Sequence, residues 1–504
     1  MAAIEILPGR TIRGMGCTEA YQLAMHTLDQ YRGTIVACRY VLPPILARPE
    51  SLATLKALFR DALTRIVLAQ PHLQTGITGE TTKNPAFVSL DHIDLRNHVQ
   101  WITRNEPGHF QQLYLETAQA QLDAKFENLS IRPGWKVVVL HEMGMDSIEV
   151  LYVWNHPHHD GSSGKIFHRY MLQYLDESTG QDNHIVDLSE NSDRWILPLP
   201  GLFDKLPPNP ELLSWWPMWP RFLLSQLWKE FKPGSIFPPG KTYAHWAPIR
   251  TLPYKTQYRN FTVDSPAVMK LVDACRLHHT TLTGLVQALC LFSLSTALPR
   301  ASGFASRTPY DMRNILPSHT TQYPWLQPKE VMCNYVSAID HKFDPKLVDT
   351  IRRHTSSMSS DSELPADAKE LLWSVSARVR REIQARLDSG TWNDLIGIMK
   401  LCPNWNNQQE IEMRKTRYLS WLVTNLGVLD GERSTRVGKE SWSLCRAELI
   451  LGAETPSAAL SVSIMTVKGS DMCVTCTWQD SVVDAAIGER LIGHLKRWLE
   501  EIGS

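Results

Sequence analysis

Between Pro198 and Pro253 the chain crowds proline and tryptophan together, as in "LPPNPELLSWWPMWPRFLLSQLWKEFKPGSIFPPG". Proline removes a backbone donor and breaks helices and ladders alike, so this stretch predicts a long crossover with few regular elements. It divides the chain into residues 1–197, a crossover over 198–253, and residues 254–504. A length of 504 residues exceeds what one hydrophobic core organises, which independently predicts at least two domains. Two readings fit the tryptophans of the crossover. They pack on the surfaces of the domains, or the segment 212–228, "LLSWWPMWPRFLLSQLW", touches a lipid surface, where Trp and Leu are favoured.

Both flanking parts mix helical stripes with strand-length apolar runs, so the expected class is α/β (α+β). In the first part a helix is expected over Thr18 to Tyr31, followed by the strand "GTIVACRYVL". The next helix, "ESLATLKALFRDALTRIVLAQ", places Leu55, Leu58, Phe59, Leu63, Ile66 and Val67 on one stripe. "FVSLDHIDL" reads as one strand, a helix falls within Phe110 to Asn128, and "WKVVVL" and "IEVLYVW" read as two more strands. The second part opens on "RNFTVD" and a helix from Ser265. The apolar run Leu282 to Leu298 follows, then the strand-like "VMCNYVSAI". That apolar run contains Thr, Gln and Ser and falls short of the ~20 residues a membrane span needs, so it reads as a buried helix. A hairpin of "ALSVSIMTV" and "MCVTCTW" precedes a closing helix with Ile487, Leu491, Leu495, Trp498 and Ile502 on one face.

Charge excludes several functions. Lys plus Arg and Asp plus Glu each total 52, and no long basic run exists, which argues against a nucleic-acid partner. The nine cysteines are scattered through apolar runs, so a reducing, intracellular compartment is expected, with free thiols. Cys473 and Cys476 form a CxxC, but on a strand such residues face opposite sides and suit neither metal nor redox chemistry. The opening "MAAIEILPGRTIRG" has no basic and then apolar region of a signal peptide, and none is expected. Asp146-Ser147 resembles the attachment site of a carrier domain but lies between two strand-like runs, as a turn.

The segment that carries chemistry is "IEVLYVWNHPHHDGSSGKIFHRYMLQYL". An interior strand, apolar on both faces, ends at Trp154. Pro157 prevents the ladder from continuing, which leaves His156 at the strand's mouth. Asp160-Gly161-Ser162-Ser163 brings turn and helix-start chemistry. A histidine on a rigid strand end beside a carboxylate is a candidate general base. A metal reading of His156, His158, His159 and Asp160 is weaker, because a proline-broken loop lacks the helical i, i+4 pairing that aims two imidazoles at one ion. No metal is expected.

His156-Pro-His-His-Asp160-Gly161 resembles the HxxxDG motif of the coenzyme-A-dependent acyltransferase superfamily. That superfamily includes chloramphenicol acetyltransferase, the plant BAHD enzymes, condensation domains and fungal alcohol acetyltransferases. "TEAYQLAMHTLDQYRGTIVACRY", "FVSLDHIDL", "DACRLHHTTLTGLVQALCLFSL", "MCNYVSAI" and "LVTNLGVLD" resemble segments of the last group, in its order. The resemblance implies two similar lobes joined by a crossover, with an active-site tunnel between them. His156 and Asp160 would be the catalytic motif pair. His156 would take the proton of an alcohol or amine, with no acyl-enzyme, and Asp160 would brace the loop through an arginine. Arg313, in "YDMRN", is the candidate partner, although a plain surface arginine fits as well. Gly161 matches a position needing no side chain. Ser163 matches a motif hydroxyl or a helix cap. Thr424 and Asn425 stand where the family reads Ser-Asn, and Thr424 is a candidate oxyanion donor, or a plain strand-end residue.

Two features depart from sister branches. Asn155 replaces the first of the tandem histidines of condensation domains, and the DFGWG loop of the plant enzymes is absent. The expected function is therefore O-acyl transfer, acetyl first, from acyl-CoA to a hydrophobic alcohol of secondary metabolism. No cofactor is expected to be bound, and acyl-CoA acts as co-substrate. The alternatives are an acyltransferase fed by a carrier protein, and a silent relative that binds CoA or lipid. The chain is expected to be monomeric and cytoplasmic, or peripheral to endoplasmic reticulum or lipid droplets.

Overall fold

The computed structural model describes residues 9–104, 108–179, 195–201, 203–231, 236–356, 363–431 and 441–504. Residues 1–8, on which most of the signal-peptide reading rests, lie outside the described residues. The first half runs β1 (Thr11–Gly14), α1 (Cys17–Thr27), β2 (Thr34–Val41), α2 (Leu52–Ala69), β3 (Thr75–Thr78), β4 (Ala86–Ser89), β5 (His92–Asp94), β6 (Val99–Arg104), α3 (Phe110–Asp123), β7 (Trp135–Glu142), β8 (Ser147–Trp154), α4 (Gly161–Thr179) and β9 (Ile196–Pro198). The crossover carries α5 (Pro210–Leu213) and α6 (Pro220–Phe231). The second half runs β10 (Thr256–Val263), α7 (Ser265–Leu277), α8 (Leu282–Ala297), β11 (Phe304–Asp311), β12 (Val336–Phe343), α9 (Pro345–His354), α10 (Ala366–Asp388), α11 (Leu395–Met399), α12 (Trp405–Glu412), β13 (Trp421–Leu429), β14 (Ser443–Leu451), β15 (Leu460–Val467), β16 (Met472–Gln479) and α13 (Ala485–Gly503).

Two large sheets organise these elements. One has the order β14-β2-β8-β7-β6, the other β10-β16-β15-β13-β11-β12. In the first, β8 is interior and buried on both faces, with β2 and β7 antiparallel to it on either side. The α2 stripe and α4 pack on this sheet in one core with Tyr152, Trp154 and Phe167. In the second, α8 is buried along nearly its whole length and packs with Trp421, Trp478 and Trp498. Among the described residues no single helix is long and apolar enough to cross a membrane.

The chain does not keep its halves apart. β14, from the second half, pairs antiparallel with β2 from Ser443↔Val41 to Leu451↔Thr34, so it completes the first sheet. Trp442, Leu444 and Leu449 accordingly belong to the first core.

Two expected strands differ. "FVSLDHIDL" is split: β4 pairs with β1 and β3, whereas β5 pairs with β9 in a separate ribbon. "VMCNYVSAI" becomes a strand only from Val336. The backbone groups of the residues before it are engaged by the start of α4 and by Gln70, whose Oε1 accepts from Met332 N–H (2.9 Å). Asp146 lies in a turn between β7 and β8, with Gly144 at φ +85°, but Ser147 already opens β8 and pairs with Val41. All nine cysteines are free, and Cys473 and Cys476 lie within β16.

Candidate active site

His156 lies two residues past Trp154, the end of β8, and its ring lines a cavity of about 420 Å³ between the lobes. α1 contributes Tyr21 and Gln22, β11 contributes Arg307 and Tyr310, and β13 contributes Leu422, Thr424 and Asn425. The Tyr31 ring stands 5.9 Å from the imidazole, centroid to centroid. Asn334 Nδ2 donates to the His156 carbonyl (2.8 Å) and lies 3.4 Å from Nδ1. Burial lowers the His156 pKa below its ordinary value, against the opposing pull of the Asp160 charge and a hydrogen bond to its own backbone. The ring is therefore neutral near pH 7, as a proton acceptor must be.

Asp160 turns away from that ring. Its Oδ2 accepts from Arg313 Nη1 (2.6 Å) and from the Tyr335 backbone N–H (2.8 Å). Its Oδ1 accepts from the Ser163 N–H (2.9 Å), which makes it the capping carboxylate of α4. Burial alone would raise this carboxyl, but the guanidinium and the hydrogen bonds outweigh burial and hold it below the usual carboxylate range. Arg313 is buried rather than a surface residue, and it also donates to the Pro328 carbonyl (2.9 Å) and to Asp311 Oδ1 (3.1 Å). The aspartate thus ties the helix that follows the histidine loop to residues of the other lobe.

Ser163 is not the helix cap. It sits one turn in, where its hydroxyl lies 2.9 Å from Asp160 Oδ1 and 2.8 Å from the Cys333 carbonyl, and accepts from the Cys333 N–H (3.0 Å). Gly161 has no left-handed backbone; a Cβ there would come 2.7 Å from Leu426 Cδ2 on β13. Close approach of the two lobes is what demands glycine. Thr424 is nearly buried on the cavity wall. Asn425 lines the cavity too, but its side chain is engaged: Oδ1 accepts from the Gly427 N–H (2.8 Å) and Nδ2 donates to Thr283 Oγ1 (3.2 Å). Gly427, at φ +69°, is where the β13–β15 register shifts, so Asn425 holds a bulge.

His158 and His159 are fully buried and point into the first lobe. His158 bonds Asn155 (2.6 Å) and the Thr75 carbonyl (3.2 Å), and His159 Nδ1 bonds the Tyr152 hydroxyl (3.0 Å). Among the described residues no group of three or more His, Cys, Asp or Glu is placed to hold a metal.

Three site residues escape sequence reasoning. Asn334 orients His156 from 178 positions away. Lys165, on α4, donates to the Leu426 and Val428 carbonyls (2.8 and 2.9 Å) and clamps the β13 bulge. Arg307 lines the cavity while paired with Asp340 (2.7 Å). Asn334 lies within "MCNYVSAI" and Lys165 within the histidine-bearing segment, but nothing in either run marks the residue itself.

The family model of alcohol acetyltransferases matches residues 118–380, just over half of the chain. A probable alcohol acetyltransferase of Fusarium pseudograminearum is 25% identical over 504 residues, covering 98% of this chain and 96% of the relative. A probable alcohol acetyltransferase of Aspergillus fumigatus is 23% identical, covering 97% and 99%. Among solved structures, the trichothecene 15-O-acetyltransferase of Fusarium sporotrichioides superposes with TM-score 0.66 at 12% identity, covering 99% of this chain and 100% of that one. The condensation domain of the monacolin K polyketide synthase superposes with TM-score 0.56 at 11% identity, covering 97% and 96%. With two chloramphenicol-acetyltransferase-like lobes and a histidine-bearing cavity between them, this chain belongs to the alcohol acetyltransferase family and is an acyltransferase.

Proposed function

We propose that the protein transfers an acyl group, acetyl in the first instance, from acyl-CoA to the hydroxyl of a hydrophobic alcohol within a ternary complex. The observation that carries this is the His156 ring on the cavity wall, with Nε2 bonded to no group among the described residues and the ring held neutral by burial. Only Nδ1 can reach the residue's own carbonyl, so the Nε2 lone pair is the one available to an acceptor.

Nε2 takes the proton of the hydroxyl as its oxygen attacks the thioester carbonyl. The tetrahedral oxyanion falls to a hydroxyl such as Thr424, which lines the same wall. Collapse breaks the C–S bond, and the thiolate leaves with the proton from His156, which gives ester and free CoA. Apolar Leu422, Leu449 and Leu451 on the same wall favour an acceptor with a hydrocarbon body. Acyl-CoA as donor is supported by the family and by a fold neighbour, a starter condensation domain solved in complex with C8-CoA.

The test is thiol release from acetyl-CoA across an alcohol panel, with His156→Ala alongside. The expected result is a fall in kcat of at least ~100-fold with CoA affinity nearly unchanged, since a proton acceptor is lost and no binding contact is. Near-full activity of the variant would refute the base assignment. Transfer from carrier-bound acyl groups alone would favour the carrier-fed alternative, and no thiol release from any donor would favour the silent one.

A further inference from the structure

The twelve residues of α6 contain not one that is buried. Phe222, Ser225, Gln226, Trp228 and Lys229 line a second cavity of about 520 Å³, together with Ile339 and Asp340 of β12. Leu224 and Phe231 stand outside it, 66% and 74% exposed, and Trp228, which completes an i, i+4, i+7 spacing with them, is still 55% exposed at the cavity's rim. Surface helices ordinarily turn their apolar stripe inward; this one presents it to solvent. The turn before it adds Trp215 and Trp219, 82% and 60% exposed, whereas Trp216 between them is buried. With roughly 150–250 Å² per aromatic side chain, Trp215, Trp219 and Phe231 alone leave on the order of 400 Å² bare, the size at which patches on monomers mark interaction sites. The Trp219 ring lies 5.5 Å from that of Trp392, and the Trp228 ring 5.0 Å from that of Phe237, so the apolar surface extends past the segment.

We infer that this face docks on a lipid bilayer bearing anionic headgroups. The chemistry of the face selects lipid over a protein partner. Ser214 and Ser225 are its hydroxyls, and both are already donating, to the Trp215 and Phe222 carbonyls. Apart from the indole N–H groups of its tryptophans, which suit the headgroup level, the face therefore offers a partner apolar and aromatic surface and little directional bonding, which is what the headgroup–acyl boundary accepts. The charges agree. The carboxylates of residues 210–231 are engaged inward, Glu211 on the Cys17 N–H and Glu230 on Lys415 and Gln408. Arg221, at the start of α6, and Lys342, at the rim of the second cavity, are both exposed, have no ion pair among the described residues and remain for lipid phosphates. The helix lies flat, since at twelve residues it is ~18 Å long. The cavity beneath it shares Ala338 and Leu395 with the catalytic cavity, so docking would set a bilayer-dissolved alcohol close to His156. That last consequence rests on the proposed function; the docking does not.

The experiment is flotation of the full chain with vesicles of phosphatidylcholine, alone or with phosphatidylserine, without acyl-CoA. It is repeated with a Trp215→Ser/Leu224→Ser/Phe231→Ser variant and with Arg221→Gln/Lys342→Gln. All five positions are exposed, so thermal melting and thiol release with a water-soluble alcohol should match the unaltered protein. The expected result is binding that strengthens with phosphatidylserine. The triple variant should lose at least tenfold in affinity, and the charge variant should lose only the phosphatidylserine dependence. Absence of vesicle binding, or equal binding by the triple variant, would overturn the inference. So would a concentration-dependent dimer that the triple variant abolishes while vesicles bind neither form, which would assign the face to a second copy of the chain. Neither result depends on catalysis, so failure here is separable from failure of the transfer assay.

Discussion

Removing the Asp160 charge tests what the carboxylate does. Asp160 and Arg313 meet at 2.6 Å with side chains 4% and 3% exposed, so either one alone would be a charge without water. In Asp160→Asn the amide nitrogen faces two donors, Arg313 Nη1 and Tyr335 N–H, and the guanidinium keeps Asp311 Oδ1 at 3.1 Å as a substitute. Breaking a buried pair costs about 3–5 kcal/mol, and the remaining Asp311 contact places this variant near ~3 kcal/mol. In Arg313→Ala the carboxylate retains Ser163 N–H, Ser163 Oγ and Tyr335 N–H, while the Pro328 carbonyl loses its donor, for about 2–3 kcal/mol. The double variant has no orphan charge, so the two effects should fall short of their sum by about 1–3 kcal/mol. Urea unfolding of the four proteins measures the cycle, and kcat should drop in both singles because the His156 loop is released. Additivity within about 0.5 kcal/mol would refute the pairing. An Asp160→Asn variant with reduced kcat and unchanged Tm would show that the carboxylate acts on the imidazole itself.

His158→Ala and His159→Ala should lower stability by about 2–4 kcal/mol while leaving kcat per folded molecule within a few-fold, because both rings are interior and off the cavity. Collapse of kcat in either at unchanged Tm would show that the wrong ring was chosen. Gly164→Ala should destabilise more than Gly161→Ala. A Cβ at 164 meets the branched Val36 Cγ2 at 2.5 Å and Trp154 at 3.1 Å, whereas at 161 it meets the end of the flexible Leu426 side chain; paired melting curves decide. Burial pushes His98, His158 and His168 down to about 4. Their folded pKa values lie below the unfolded ~6.5, so their contribution is complete above pH 6.5 and is lost as pH falls toward 4, by about 3 kcal/mol each. Tm should therefore decline through that window, and a flat profile would contradict neutral burial of these rings.

Local periodicity determined much of this protein before any contact was known. The stripe of α2 is recorded in a 3.6-residue spacing, and β8, α8 and the β15–β16 hairpin in apolar runs whose length and bounding turns need no knowledge of a partner. The position of His156 was legible for the same kind of reason: Pro157 ends the strand wherever that strand packs. The motif resemblance then pointed to Arg313, whose pairing with Asp160 across 153 positions is a tertiary fact.

What periodicity cannot record is which sheet a strand joins, or whether a polar group finds its partner nearby. "FVSLDHIDL" has a strand's composition throughout, yet its two ends pair with different neighbours. β14 completes the first sheet although more than 400 residues separate Ser443 from Val41.

 Sequence separation of that order leaves no local trace of the pairing, because nothing in the run "SLCRAELIL" distinguishes β2 from any other strand edge. The same holds for Asn334, which reaches the site from 178 positions away, and for Lys165, whose partner Leu426 lies 261 positions on; both look in the sequence like any exposed polar residue. The outward apolar face of α6 is the clearest case. Proline density reads there as a crossover with few regular elements, and whether its apolar residues face a core or solvent is decided only by what packs beside them; the tertiary structure sets the helix over a cavity and leaves Leu224 and Phe231 exposed.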